Sequence, residues 1–340
     1  MTPLVLRRAM VVSVESTGPL ARLNVAIDGE LRPAVAYTEL TGPVEPGDEV
    51  VVNCAALDLG LGSGGFDVVH VNLTRGLDAD VDHGAHVMKL NYTSLQHGVT
   101  PFEARAPQDA PLRGGGPVAV IALHGQLPCV AWAAAQAAPG VRIGYVQTAG
   151  GALPGALSDM VRELRERGLL AGHVTAGSAF GGEEDAISVA GALHAGFAAE
   201  GWDAAIAGPG PGILGSATQL GHGGLAALDT AHAALALSSR TLLVPRMSEA
   251  DPRPRHHGLS HHTASVLELL LAPVLVPLPK GAGADLAPVP EPHESAEYDV
   301  DLPGYAGSGL PLRAMGRSDD LFFRAALAGG VALAKEIHGL

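Results

Sequence analysis

Apolar and polar positions follow two different regimes along this chain. From Leu4 to about Asn72 they alternate in short runs, VVSVES, ARLNVAI, PAVAYTEL, DEVVVNCAAL and FDVVHVNL, broken at Asp28-Gly29, Thr41-Gly42-Pro43 and Pro46-Gly47-Asp48. Alternation with period two buries one face of a strand, and Gly, Pro and Asp at the breaks make turns. The pattern predicts a small antiparallel β-barrel or sandwich over residues 1–100. The polar stretch HGAHVMKLNYTSLQH (83–97) shows neither period and reads as a connector. PFEARAPQDAPLRGGGP (101–117) reads as a linker, rich in Gly, Pro and charge.

Beyond the linker the period changes. VAVIAL (118–123) is a continuous apolar run of strand length, expected for a strand buried on both faces. Strands VRIGYV (141–146), AGHVTA (171–176), Asp203–Ala207, Thr241–Val244 and a last strand PVLVPL (273–278) alternate with helical segments. Helices are predicted over Leu127–Ala138, around the stripe Leu157, Met160, Val161 and Leu164, and from about Glu183 to Ala199. Strands alternating with helices imply parallel pairing, hence an α/β, Rossmann-like three-layer, mostly parallel sheet over 118–280. Residues 281–317 are acidic and rich in Pro and Gly and read as an extended arm. Residues 318–340 read as a C-terminal helix with Ser318 as its N-cap.

Composition narrows this picture. A length of 340 residues accommodates two domains, and 47% apolar residues with only 4% aromatic imply a core of Ala, Val and Leu. The net charge of -14 excludes a general nucleic-acid binder, because phosphate contacts need a basic face. Cys54 and Cys129 are too few for a disulfide framework, so a reduced, cytoplasmic location is expected. With no uninterrupted apolar run of membrane-spanning length, a soluble protein with no membrane partner is expected.

Candidate chemistry gathers between Trp202 and His262. Strand Asp203–Ala207 runs into a loop with seven glycines from Gly208 to Gly224, followed by a helix. Such a loop brings backbone N–H groups and a helix N-terminus to an anion. Gly210, Gly212 and Gly215 formally match the dinucleotide fingerprint, with Ser216 and Thr218 close by. Pro209 and Pro211 stiffen that turn, however, and Arg246 stands where NAD binding needs an acid. Three readings stand: a phosphate or carboxylate cradle, a dinucleotide fold, or tight packing alone. In open parallel sheets ligands lie beyond the carboxyl ends of the strands, which adds Thr148, Ser178 and Arg246. Lys89, on the polar connector, is a further candidate anion contact.

The second constellation is Asp251, Arg253, Arg255, His256, His257, His261 and His262. Pro252, Pro254 and Gly258 hold it as a loop until Ser260, a good N-cap for the helix HHTASVLELLLA. A helix N-terminus disfavours imidazolium and leaves His261 and His262 neutral, as bases or metal ligands. His256, His257 and His261 form the candidate metal set.

At GPGILGSAT (210–218) and RPRHHGLSHHT (253–263) the sequence resembles a bacterial family catalogued only as a domain of unknown function, with motifs GPGxxGxxT and RxRHxGxSHH. The likeness extends to HVMKLNYTSLQ (86–96), AFGGEEDA (179–186) and DLFFRAALAGG (320–330). It implies a shared fold and a shared site around these segments, and brings no established activity, catalytic residue or cofactor. The expected function is therefore binding of a phosphorylated or otherwise anionic small molecule, nucleotides included, at the glycine loop and the Arg/His segment. As an enzyme, the chain fits metal-assisted hydrolysis or transfer, with a divalent metal as cofactor and His261, His262 and Asp251 as the catalytic candidates. The alternatives are a noncatalytic ligand sensor or assembly module, and an NAD(P)-dependent oxidoreductase. The terminal helix is expected to dock either on the body of the chain or on a second subunit, the latter giving a homodimer.

Overall fold

The computed structural model describes residues 3–338 except 62–63, 78–79, 81–82, 217 and 314. The chain divides into two units, Met1–Val99 and Thr100–Leu340.

In the first unit the alternating runs become strands β1 (Leu6–Ser16), β2 (Leu20–Ile27), β3 (Glu30–Tyr37), β4 (Glu49–Asn53) and β5 (Asp67–Asn72). They close into a barrel in the order β1-β2-β3-β5-β4. Every second side chain points inward, so Ala9, Val11, Leu23, Val25, Val50 and Val52 fill the interior. A short hairpin of β6 (Val87–Lys89) and β7 (His97–Val99) completes the unit. Lys89 is buried on β6.

The second unit is an eight-stranded parallel sheet with helices on both faces. Its strands in chain order are β8 (Val118–Ile121), β9 (Ile143–Thr148), β10 (Gly172–Ala176), β11 (Glu184–Ala186), β12 (Ala204–Pro209) and β13 (Thr241–Val244). A small antiparallel pair, β14 (Met247–Ser248) and β15 (Gly258–Leu259), precedes β16 (Leu275–Pro279) and β17 (Glu294–Tyr298). The sheet order is β11-β10-β9-β12-β8-β13-β16-β17. The chain first builds outward from β8 to β11, returns to insert β12 beside β8, then places β13 on the other side of β8. The direction of winding therefore reverses around β8, and the loops leaving β12 and β13 flank that point.

The helices longer than a single turn are α1 (Leu127–Ala137), α2 (Asp159–Glu166), α3 (Val189–Ala198), α4 (Ala226–Ala236), α5 (His261–Leu269), α6 (Leu302–Gly307) and α7 (Asp320–His338). Alternate residues of β8 serve opposite faces. Ala119 and Ile121 pack with α1, α2 and α7, while Val118 and Val120 pack with α3, α4 and α5. The prevalence of alanine is explained by close helix contacts. A Cβ on Gly330 of α7 would stand 2.4 Å from the Val130 carbonyl oxygen of α1.

Four sequence expectations differ from the structure. The helix expected from Glu183 starts instead at Val189, capped by Ser188. Glu184–Ala186 form the edge strand β11, where Arg165 pairs with Glu183, Arg105 with Glu184, and Thr175 donates to Asp185. The acidic segment 281–317 is not a free arm: it supplies β17, parallel to β16, and α6, whose Tyr305 is fully buried. Acids at its exposed positions hide that strand in the sequence. The terminal helix begins at Asp320 and is capped by Asp319 rather than Ser318, with Asp319 Oδ1 accepting from Phe322 N at 3.3 Å. The 101–117 segment belongs to the second unit, where Phe102 stacks on Trp202 with ring centroids 6.0 Å apart.

The α1–α7 contact has a direct test. Gly330→Val should force the helices apart and cost about 1 to 3 kcal/mol, as overpacked cores do. The melting midpoint then falls by roughly 2 to 4 °C per kcal/mol. A variant that melts with the parent chain would show that the helices can part without penalty.

Candidate functional site

The root of the glycine loop is held by a buried polar shelf. His124, just after β8, has Nδ1 3.2 Å from the Pro209 carbonyl oxygen and Nε2 2.7 Å from Ser158 Oγ. Ser158 is the N-cap of α2 and accepts from Val161 N. Its hydroxyl proton therefore goes to His124 Nε2, leaving the imidazole neutral with its proton on Nδ1. The Tyr145 hydroxyl donates to the same Pro209 carbonyl at 2.9 Å, and its ring stacks on His173. Burial pushes His124 down to about 4. It pushes His173 down to about 3, with the His124 and Arg165 charges adding to the effect.

From this root the loop does not run directly into a helix. A Cβ on Gly210 would meet the Ala152 carbonyl oxygen at 2.4 Å, so this glycine allows the loops after β9 and β12 to pack together. Gly212 takes a φ of 72°, which favours glycine. The chain then folds back on itself: Ser216 N donates to the Gly221 carbonyl, Gly223 N to the Leu214 carbonyl, and Gly215 pairs with His222. Only after this hairpin and a turn at Gly223–Leu225 does α4 begin. The dinucleotide fingerprint requires its glycines to open the helix, and here they do not.

On the other side of β8, β13 leads to Arg246, whose side chain is 2% exposed. The segment from β14 to β15 loops out and returns, and Ser260 caps α5 by accepting from His262 N. The centre of this segment is Asp251, with a fully buried carboxylate. Its Oδ2 accepts from Arg246 Nη2 at 3.0 Å, Arg253 Nη2 at 2.9 Å and Arg317 Nη2 at 2.9 Å. The Arg253 hydrogen bond holds the Asp251 carboxyl well below the usual carboxylate range. Desolvation lowers Arg246 to about 10, so it remains charged at neutral pH. One carboxylate thus serves three guanidinium groups.

Between the hairpin and this segment lies a cleft of about 450 Å³. Gly215 and Ser216 line it from one side, Arg246, Arg253, Arg255 and His262 from the other. Met315 closes it from the segment once read as an arm.

Four histidines crowd beside the cleft. His222 stacks on His262 with centroids 3.6 Å apart, and His261 lies 4.3 Å from His262 and 4.8 Å from His256. Burial lowers all four, His262 to about 2 and His256 to about 3. Neighbouring arginines add to the effect, so the rings are neutral at physiological pH. His261 Nε2 and His256 Nε2 have no hydrogen-bond partner, while a backbone group of Gln219 lies against the His222 ring. The ring nitrogens of His222, His261 and His262 include one from each residue that together lie within 4.8 Å of one another.

The sequence candidates thus separate. Gly215, Ser216, Arg246, Arg253, Arg255 and His262 line the cleft, and His261 and His256 adjoin it. Gly210 and Gly212 shape the loop without lining it. Thr218 bonds to Ser216 Oγ inside the hairpin, and Thr148 Oγ1 donates to the Ala149 carbonyl at the end of its own strand. Ser178 sits exposed between β10 and β11, toward the far edge of the sheet, and Lys89 belongs to the first unit. His257 turns away, its Nε2 against the Asp251 carbonyl oxygen, so it does not join the other four rings. Asp251 binds arginines and is structural. The sequence reading missed His222 and Arg317. The GHGG context of His222, an isolated ring among glycines, was the available signal; Arg317 had none, because it approaches from a separate segment.

The chain belongs to the family described as protein of unknown function (DUF3866), whose model matches residues 33–330. No curated protein and no solved structure matches the chain. Among the described residues no helix is long and apolar enough to cross a membrane.

Two stability measurements probe this architecture. Asp251→Asn leaves the buried Arg246 without its counter-charge and should cost about 3 to 5 kcal/mol in a urea melt; a cost under about 1 kcal/mol would mean Asp251 is no hub. The buried shelf predicts an acid dependence. His124 and His173 resist protonation when folded but titrate near pH ~6.5 when unfolded. Stability is then complete above that pH and is lost as pH falls toward 4 and 3, because the unfolded chain binds the extra protons. His124→Gln should flatten the decline of the urea midpoint between pH 7 and 4, and an unchanged slope would exclude His124 as its source.

Proposed function

We propose that this chain binds a phosphorylated or otherwise anionic small molecule in the cleft between the Leu214–Ser216 hairpin and the Arg246–Arg255 segment. One observation carries the reading: three arginines line a single cleft, and Asp251, the carboxylate that contacts two of them, is itself shared with Arg317. Arg246, Arg253 and Arg317 share that one carboxylate, which leaves this group a surplus of positive charge within a chain of net charge -14. Guanidinium groups match the oxygens of phosphate and carboxylate with paired N–H donors. The backbone and hydroxyl of Ser216 add polar groups on the opposite wall.

The arrangement also supports a reaction class. Arginines that face a bound anionic group stabilise charge as it develops during hydrolysis or group transfer. The glycine loop acts in this reading as a wall that packs closely, rather than as a helix-opening cradle.

A thermal-melt screen in the presence of EDTA, against inorganic phosphate, sugar phosphates, nucleotides and the neutral sugars, tests the binding. A ligand at 100 times its dissociation constant adds ~2.7 kcal/mol of stability. The expected result is a shift with phosphorylated compounds and none with neutral sugars. Arg255→Ala should weaken the affinity about tenfold, a loss of about 1.4 kcal/mol. An absence of shift with every anion would reject the reading; binding without turnover of any phosphorylated ligand would make the chain a sensor.

A further inference from the structure

We propose that His222, His261 and His262 form a site for one divalent transition-metal ion of the zinc class, with its open coordination position toward the anion cleft. The three rings come from two separate segments, the GHGG turn and the first turn of α5. Their convergence is a product of folding and not of sequence adjacency. One ring nitrogen from each lies within 4.8 Å of the other two.

The second observation is the state of the nitrogens. His222 is 7% exposed, and beside it His261 Nε2 is buried without a hydrogen-bond partner. A buried polar atom without a partner is costly. A metal ion resolves that cost, because neutral imidazole offers it a lone pair. The donor set also selects the metal. Three imidazoles with no carboxylate suit zinc, cobalt, nickel or copper and not magnesium or calcium, which prefer oxygen. Three protein ligands are the number that leaves zinc a position for water or substrate. His262 both belongs to the set and lines the cleft, which directs that position toward a bound anion.

Arg246 connects the two sites. Its Nη1 donates to His262 Nδ1 at 3.1 Å. A metal that takes the Nδ1 lone pair displaces this bond. A metal on Nε2 places the proton on Nδ1 and loses the same acceptor. Either way one Arg246 N–H is released, and Arg246 lines the cleft. The arginines oppose a cation, whereas an anion in the cleft offsets that repulsion and accepts the freed N–H. Metal and anion should therefore bind cooperatively and by the same factor in both directions. This coupling rests on the anion reading above; the metal site does not.

The test is titration of the intact, metal-stripped chain with Co²⁺ alone, followed by visible absorption, with Zn²⁺ in competition. One equivalent should bind, with at least tenfold weaker affinity in His222→Gln and in His261→Ala and no change in His232→Gln, a histidine of α4 outside the group. X-ray absorption at the zinc edge of the loaded parent chain should show imidazole scattering and no sulfur, a result that requires no variant to fold. Failure of the parent chain to bind either ion, or affinity indifferent to both substitutions, would overturn the site even if phosphate still raised the melting midpoint. Inorganic phosphate should tighten Co²⁺ binding at least tenfold; unchanged affinity would overturn the coupling.

Discussion

The region around the cleft depends on one buried carboxylate. Asp251 Oδ2 accepts from Arg246, Arg253 and Arg317, which come from the end of β13, from the loop after it and from the segment preceding α7. A buried charge must be paired, and its removal leaves its partners exposed to the full desolvation penalty. The carboxylate therefore ties the loop after β13 to the segment preceding α7 while neutralising only one of three positive charges. Asp319 repeats the device nearby: it caps α7 and accepts from the Ser248 hydroxyl, so the terminal helix and β14 share an anchor.

On the opposite wall the loop is held by neutral groups. The Pro209 carbonyl receives the Tyr145 hydroxyl and lies against His124, whose other nitrogen accepts from the Ser158 hydroxyl at the start of α2. The Ser158 hydroxyl has the His124 ring as its acceptor only while the imidazole is neutral. Close packing at Gly210 then sets the path of the hairpin. A neutral wall faces a cationic one across the cleft, and the histidine cluster lies beside it.

Much of the fold was legible. Strict alternation marked the barrel strands, and largely apolar runs marked β8, β9, β10, β12, β13 and β16, because strands buried on both faces carry few polar positions. Ser260 was recognisable as a cap for α5. Edge strands were harder. β11 and β17 carry acids on solvated positions, so their composition resembles a helix start in one case and a disordered arm in the other. Of the site, the Arg/His segment and the hairpin residues Gly215 and Ser216 could be read as neighbours from the rule that ligands lie beyond strand ends. Thr148, Ser178 and Thr218 fitted the same residue types without lining the cleft.

The sequence by itself determined which segments become strands and helices, that the sheet is parallel, and that a cationic segment and a glycine loop follow adjacent elements at its carboxyl edge. These properties depend on periodicity and on local backbone chemistry, which neighbouring residues carry. Only the tertiary structure decided that the glycine loop forms a hairpin before its helix, that Asp251 is a structural hub, and that His222 rather than His257 joins His261 and His262. Those outcomes depend on the direction in which side chains point and on contacts between segments far apart in the chain. Arg317 joins Asp251 from 66 residues away, a separation over which no local pattern carries information.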